Sequence, residues 1–155
     1  MMAKEIERKF LVDTNLWKRE GVIIPMQQAY FAYHNGNVVR VRIAADNAFL
    51  TIKGNLKGIT RDEFEYQVPI DDALQMMKMV KGFSIVKKRY IEYVGGKKWE
   101  IDVFEKENEG LIVAEIELNS ETESFEKPLW ILDEVSNDTR YYNFNLAQNP
   151  FSNWH

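Results

Sequence analysis

The chain has 155 residues, of which 45% are hydrophobic and 28% are charged, a size and composition typical of one globular domain. It contains no cysteine, which excludes disulfides, thiolate metal sites and a cysteine nucleophile. The formal net charge of -4 disfavours broad binding to nucleic acid, although a small anionic ligand would respond to local charge instead. We find no apolar run typical of a signal peptide or a membrane span, so we predict a single cytoplasmic domain over residues 1–155 with no membrane or nucleic-acid partner.

The first half of the chain consists mainly of short alternating segments that are separated by turns. The segment "TNLWKRE", residues 14–20, is the exception, because it reads as a short helix that ends at Gly21. Alternation of apolar and polar residues is typical of half-buried strands. It predicts strands over residues 4–12, 26–33, 38–44, 48–54 and 59–70.

The second half begins with a predicted helix over residues 71–82, which has aspartate at its start and Gly82 at its end. Further strands are predicted over residues 83–94, 97–105 and 111–119, and helices over 128–135 and 139–148. Short strands joined by short turns favour an antiparallel meander, and closing it removes the exposed edges. We therefore predict a mainly β (α+β) fold, an eight-stranded closed antiparallel β-barrel with flanking helices.

Charged residues of both signs occupy one face of at least six predicted strands. In "KEIERKFLV", for example, Glu5, Glu7 and Lys9 alternate with Ile6 and Phe10, so the three charges share a face. The same pattern places the following residues together in their own strands: Arg40 and Arg42; Lys53; Arg61, Glu63 and Glu65; Lys87 and Arg89; Glu100 and Asp102; Glu115 and Glu117.

Two interpretations of this charged face remain open at the level of the pattern. The first is the solvated side of a sheet, in which Glu5 and Glu7 form cross-strand ion pairs with Arg40 and Arg42. The second is a charged barrel interior whose apolar residues pack on the outside of the wall. Because burying unpaired ions costs several kcal/mol each, such an interior requires water or a ligand of both signs. A polyphosphate with divalent cations meets this requirement, since Arg and Lys bind phosphate oxygens and carboxylates bind Mg²⁺ or Mn²⁺.

The order of these motifs resembles that of a known family. "EIERKF" resembles the ExExK signature of the CYTH domain, which belongs to the triphosphate tunnel metalloenzyme superfamily. The resemblance continues through "VRVR", "LTIKG", "RDEFEY", "KKRY", "WEIDVF" and "AEIEL", and ends at "EVSNDTRYYNFNLA", so that it covers most of residues 4–147. What it implies is an eight-stranded tunnel that binds and hydrolyses triphosphate with the help of Mg²⁺ or Mn²⁺.

The resemblance also implies roles for individual residues. Lys9, Glu5 and Glu7 would take part in catalysis. The residues expected to grip phosphate are Lys9, Arg40, Arg42, Lys53, Lys87 and Arg89. The residues expected to hold or orient metals and water are Glu5, Glu7, Glu63, Glu65, Asp102, Glu115 and Glu117.

The substrate predicted from this resemblance is inorganic triphosphate, hydrolysed to diphosphate and phosphate. Two alternatives stay open: an organic triphosphate as substrate of a thiamine triphosphatase, nucleoside triphosphatase or adenylate cyclase, and a non-catalytic polyphosphate-binding module. A nucleoside would need aromatic stacking at the tunnel mouth, for which Tyr30, Phe31 and Tyr33 are candidates. A homodimer is a further expectation.

Overall fold

The computed structural model describes residues 3–80, 82 and 84–154 and confirms the closed antiparallel barrel. Its strands are β1 Lys4–Val12, β2 Val22–His34, β3 Asn37–Ala44, β4 Asn47–Lys53, β5 Thr60–Val68, β6 Ser84–Val94, β7 Lys97–Phe104, β8 Ile112–Glu117 and β9 Ile131–Glu134. The helices are α1 Ile70–Met79 and α2 Asn143–Gln148, with single 3-10 turns at Lys106–Asn108, Thr139–Tyr141 and Phe151–Asn153. Predictions that involve Met1, Met2, Lys81, Phe83 or His155 lie outside the described residues.

Strand β1 closes the ring because it pairs with two strands that are distant in sequence. Its first residues lie against β5, with Glu5 opposite Arg61, and its remainder lies against β8, with Lys9 opposite Glu115. The ring runs β1-β8-β7-β6-β2-β3-β4-β5 and returns to β1. Beyond residue 6, β1 no longer pairs with β5, and the ninth strand, β9, pairs with this part of β1 instead.

Two of the predicted helices are wrong. Residues 14–20 form a turn, in which the carbonyl oxygen of Asp13 accepts the backbone N–H groups of Leu16 and Trp17. Residues 128–135 contain β9, because Ile131 pairs with Val12 and Glu134 pairs with Phe10. Pairing with β1 outweighs the weak helical preference of this short apolar segment.

The other helical predictions are confirmed in position, with changes at their ends. Helix α1 begins after Pro69 and has no side-chain cap, so the predicted aspartates lie in its first turn instead. The segment 139–148 is divided into the 3-10 turn at Thr139–Tyr141 and α2, because Tyr142 has an extended backbone with φ of -70° and ψ of 132°.

The apolar core lies mostly outside the barrel wall, as the second interpretation of the charged face requires. Helix α1 packs its buried Ala73 against Val41, Ile43 and Ala48. A second cluster joins Phe10 and Trp99 to residues of the segments outside the barrel, including Trp17 and Trp130. Inward-facing positions turn apolar near one end of the barrel, where Val38, Ile85, Phe104 and Val113 pack with Leu146 of α2.

Candidate tunnel site

The barrel encloses a cavity of about 920 Å³ whose wall carries charges of both signs. Every site residue predicted from the sequence lines this cavity except Asp102, which lies directly behind it. The predicted residues that line it are Glu5, Glu7, Lys9, Arg40, Arg42, Lys53, Glu63, Glu65, Lys87, Arg89, Glu115 and Glu117. Alternation along each strand and the antiparallel register bring them together from six strands.

Asp102 holds two cations of β6 in place from within the wall. Its side chain is completely buried, and its oxygens accept hydrogen bonds from Lys87 Nζ at 2.8 Å and from Arg89 Nε and Nη2 at 2.8 and 2.9 Å. Although burial opposes ionisation, the charges of Arg89 and Lys87 keep the pKa of Asp102 well below its ordinary value. Burial lowers the pKa of Lys87 to about 7, an effect that Asp102 only partly offsets.

Glu5 lies at the centre of a second cluster, on the side of the cavity where β1 meets β5. It forms ion pairs with Lys53 at 3.1 Å and with Arg61 at 3.1 Å, while Glu63 approaches Lys53 at 3.3 Å. Burial alone would raise the pKa of Glu5, but the charges of Lys53 and Arg61 lower it far below the ordinary value. In the described residues neither Glu5 nor Glu7 pairs with Arg40 or Arg42, so the simple cross-strand alternative does not apply.

Lys9 lies between two carboxylates, with its Nζ atom 3.7 Å from Glu7 and 3.8 Å from Glu115. Its Nζ atom is also 5.3 Å from the centre of the Tyr142 ring. Burial and repulsion by Glu115 and Glu5 raise the pKa of Glu7 to about 8. Glu7 and Glu115 share one ammonium group and repel each other. A bound divalent cation would reduce this repulsion.

The two arginines of β3 differ in their partners. Arg40 donates to the Thr51 hydroxyl at 3.2 Å and lies 3.5 Å from Glu65. Arg42 donates from Nε to the side-chain oxygen of Gln28 at 2.8 Å. Burial, together with repulsion by Arg40 and Arg89, lowers the pKa of Arg42 to about 9.

Several cavity residues were not among the predicted site residues. Tyr30, Tyr142 and Asn143 line the cavity, and Gln28 is buried behind it. Alternation within "MQQAYFAY" places Gln28 and Tyr30 on one face, and the register sets them opposite Arg42 and Arg40. The alternation alone could therefore have predicted that Gln28 and Tyr30 face the cavity. Tyr142 and Asn143 reach the cavity only through the docking of the C-terminal segment, for which the sequence gives no local signal.

Aromatic residues at the mouth of the cavity contact one another. Tyr33 and Phe144 are stacked, with ring centres 5.0 Å apart and planes inclined by 15°, and both line the cavity. Tyr30 contacts Phe144 edge-on at 5.5 Å. Phe31, the third candidate for nucleoside stacking, is not one of the residues that line the cavity.

The donor set of the cavity suits a hard divalent cation, since it offers carboxylate oxygens and no sulfur or histidine ligand among the described lining residues. Glu7 lies opposite Glu117 in the β1–β8 pairing, and Glu115 is the next residue of β8 on the same face. No three His, Cys, Asp or Glu side chains within residues 3–80, 82 and 84–154 already converge tightly enough to hold an ion. The carboxylates are arranged around Lys9 and Lys53 instead, so a metal would need further oxygens from its ligand.

The fold and the cavity define a class of closed β-barrels whose interior carries converging cations and carboxylates. The CYTH domain model matches residues 3–148, and this chain belongs to the CYTH domain family. It is 41% identical to an inorganic triphosphatase of Acetivibrio thermocellus over 99% of both chains. It is also 33% identical to an inorganic triphosphatase of Nitrosomonas europaea, over 92% of this chain and 96% of that protein.

Structural comparison agrees with the family assignment. A crystal structure of an inorganic triphosphatase matches with a TM-score of 0.69 and 31% identity, covering 93% of this chain and 94% of the other. The motif resemblance found in the sequence is thereby confirmed. Among the described residues, no helix has both the length and the apolar character needed to cross a membrane.

Proposed function

We propose that this protein is a metal-dependent triphosphatase, which uses water to cleave inorganic triphosphate into diphosphate and phosphate. The observation that carries the proposal is the convergence of seven cationic side chains and a set of carboxylates on one internal cavity. The names of the two relatives and of the matching crystal structure support the same substrate. Phosphoryl transfer depends mainly on positioning and charge stabilisation, which such a cavity supplies.

Six of the cationic residues would bind the phosphate chain and stabilise the charge that develops during cleavage. These residues are Lys9, Arg40, Arg42, Lys53, Lys87 and Arg89. Lys9 would also contact the attacking water or a terminal phosphate oxygen, since its ammonium lies beside Glu7 and Glu115. Of the two N-terminal glutamates, Glu7 is the better candidate to orient water, because Glu5 is already held by Lys53 and Arg61 whereas Glu7 contacts only Lys9, at 3.7 Å, among the described ion pairs.

The metal is proposed to be Mg²⁺ or Mn²⁺. Glu5, Glu7, Glu115 and Glu117 would hold it, because these carboxylates lie on neighbouring strands of the cavity wall. When bound, it would neutralise phosphate charge and lower the pKa of coordinated water. Glu63 and Glu65 remain predicted ligands, and for Asp102 the contacts favour an indirect role through Lys87 and Arg89.

Inorganic triphosphate is favoured over an organic triphosphate by the arrangement of the mouth. Tyr33 and Phe144 stack on each other and so leave neither of those two ring faces free for a base. A base would have to stack on the outside of this pair or separate the two rings. A non-catalytic polyphosphate-binding module is disfavoured because it has no need for the buried carboxylates.

The test is phosphate release from inorganic triphosphate, ATP and thiamine triphosphate, measured with Mg²⁺, with Mn²⁺ and with EDTA. We expect rapid release from inorganic triphosphate that requires metal and falls at least about a hundredfold in Glu5→Gln and Glu7→Gln. Glu105→Gln serves as the matched control, since Glu105 lies outside the cavity. Release mainly from ATP or thiamine triphosphate would show that the substrate is an organic triphosphate. Tight binding without phosphate release would show that the protein is a binding module.

The domain organisation, location and oligomeric state are also part of the proposal. We expect a single domain and a cytoplasmic protein without a nucleic-acid partner, in agreement with the net charge of -4. A homodimer is supported by the partly exposed apolar side chains of β4 and β5, including Ile52, Phe64 and Tyr66. Light scattering coupled to size-exclusion chromatography would measure the oligomeric state directly.

A further inference from the structure

A buried glutamine connects the cationic side of the cavity to the C-terminal segment. Gln28 on β2 is completely buried. Its side-chain oxygen accepts the hydrogen bond from Arg42 Nε at 2.8 Å. Its side-chain nitrogen donates to the Tyr30 hydroxyl at 2.8 Å and to Asn143 Oδ1 at 3.3 Å.

The orientation of this amide is determined by its neighbours. Asn143 Oδ1 also accepts from Lys87 Nζ at 3.0 Å, which establishes that atom as an acceptor. The Gln28 NH₂ group must therefore face Asn143, and its oxygen must face the guanidinium of Arg42. The reverse orientation would set two donors against each other at Arg42 and two acceptors against each other at Asn143.

Arg42 differs from the other cavity cations in its electrostatic partners. Lys9, Arg40, Lys53, Lys87 and Arg89 each have a carboxylate within 4.0 Å. Within the described part of the chain, Arg42 has no carboxylate at that distance, although it lines the cavity among other cations. The neutral oxygen of Gln28 fixes the direction of its guanidinium without neutralising its charge.

This difference has a cost and a benefit. A buried guanidinium without a carboxylate partner is unfavourable, and burial together with repulsion by Arg40 and Arg89 lowers its pKa for the same reason. A phosphate group that reaches Arg42 has no carboxylate to displace, whereas at Lys87 or Arg89 it must share the cation with Asp102. The terminal nitrogens of Arg42 remain available for the forked contact that arginine makes with phosphate.

We propose that Gln28 is a positioning residue for substrate binding, which aims the guanidinium of Arg42 into the cavity and preserves its full charge for a phosphate group. The identity of that phosphate as part of inorganic triphosphate rests on the proposed function. Gln28 itself does not touch the substrate. Both its neutrality and its hydrogen-bond acceptor contribute to this role, and neutrality contributes more.

The test separates these two properties by comparing Gln28→Glu with Gln28→Met. Glutamate keeps the acceptor and adds a negative charge beside Arg42, whereas methionine keeps the approximate shape and provides neither. Calorimetric titration with inorganic triphosphate in EDTA measures binding without catalysis. We expect the affinity to fall roughly tenfold or more in Gln28→Glu and by a smaller factor in Gln28→Met.

The opposite order would overturn the proposal. If Gln28→Glu binds as tightly as the unchanged protein while Gln28→Met binds weakly, the acceptor alone is important and neutrality is not. A third measurement uses the Arg42→Ala background, where the effect of Gln28→Glu should largely disappear. An equal loss in that background would show that the new charge acts directly on the ligand and not through Arg42.

Binding and turnover distinguish this proposal from the proposed function. If the unchanged protein binds inorganic triphosphate but does not hydrolyse it with Mg²⁺ or Mn²⁺, the enzyme assignment fails and the role of Gln28 is still decided by the titrations. If it does not bind triphosphate at all, both proposals fail. Steady-state kinetics give a second readout, since Gln28→Glu should raise KM by a larger factor than it lowers kcat.

Discussion

Asp102 shows how a single buried side chain organises two cations of the cavity. Its two oxygens serve Lys87 and Arg89 together, and its side chain has no exposure to solvent. Removing one partner from a buried ionic group leaves the other charges without compensation, which is more damaging than the net strength of the pair.

Asp102→Asn should therefore destabilise the protein by about 3–5 kcal/mol and abolish turnover, because Lys87 and Arg89 lose the carboxylate that fixes them. Denaturant unfolding measures the first effect and phosphate release the second. Glu100→Gln is the matched control, since Glu100 contacts only Arg89 in that cluster and is less buried, so its cost should be below about 1 kcal/mol. Equal costs for the two variants would contradict the role assigned to Asp102.

Glu7 should make the stability of the metal-free protein depend on pH. Its pKa is about 8 in the folded chain against an ordinary value of 4.5, so the folded state holds the proton more tightly than the unfolded state. Stability should then fall as the pH rises from about 4.5 to 8, because ionising Glu7 costs more in the folded protein.

Glu7→Gln should remove this penalty, so the variant should be several kcal/mol more stable than the unchanged protein at pH 8.5 and almost equal to it at pH 4.5. Thermal unfolding in EDTA at both pH values provides the measurement. Glu105→Gln, outside the cavity, should show no such pH-dependent gain. A constant difference between Glu7→Gln and the unchanged protein would show that Glu7 titrates normally.

At the scale of elements, strand alternation predicted the interior correctly, while the helical assignments were less successful. Glu5, Glu7 and Lys9 face inwards because a two-residue period admits no other arrangement once the barrel closes. The segment 128–135 has no comparable constraint, and its structure depends on an available edge of β1 near Phe10. The residues of this segment do not indicate that an unpaired strand edge is available elsewhere in the fold. The sequence alone therefore did not distinguish a strand from a helix there.

Helix α2 is short, and its stability depends on tertiary packing rather than on its own hydrogen bonds. Leu146 is completely buried in the cluster that contains Ile85 and Phe104. Leu146→Ala should cost about 2–5 kcal/mol, and because α2 carries Asn143 it should also weaken triphosphate binding. Leu74→Ala in α1, where the side chain is 41% exposed, should cost much less in denaturant unfolding and leave binding unchanged. Equal effects of the two variants would show that α2 does not depend on this contact.

At the scale of the whole molecule, the cavity wall brings like charges together, and a bound ligand would neutralise part of their repulsion. A ligand that binds only the folded protein raises its stability by about 2.7 kcal/mol at a hundred times its Kd. Inorganic triphosphate should therefore raise Tm by several degrees, and more so with Mg²⁺ than with EDTA. Sulfate at matched ionic strength is the control, and an equal rise with sulfate would indicate general screening of charge instead of a specific site.

The closure of the barrel through β1 has a consequence for how the chain folds. Glu7 lies opposite Glu117, and Phe10 lies opposite Glu134, so the first strand finds its partners near the other end of the chain. During synthesis, β1 has no partner on that side until β8 and β9 have emerged. Contacts this distant in sequence slow folding, because the intervening chain must lose conformational entropy before the two strands can pair. The ExExK strand, which supplies Glu5, Glu7 and Lys9, is therefore made before β8 and β9 but paired with them only afterwards, so the site cannot assemble until those two strands are present.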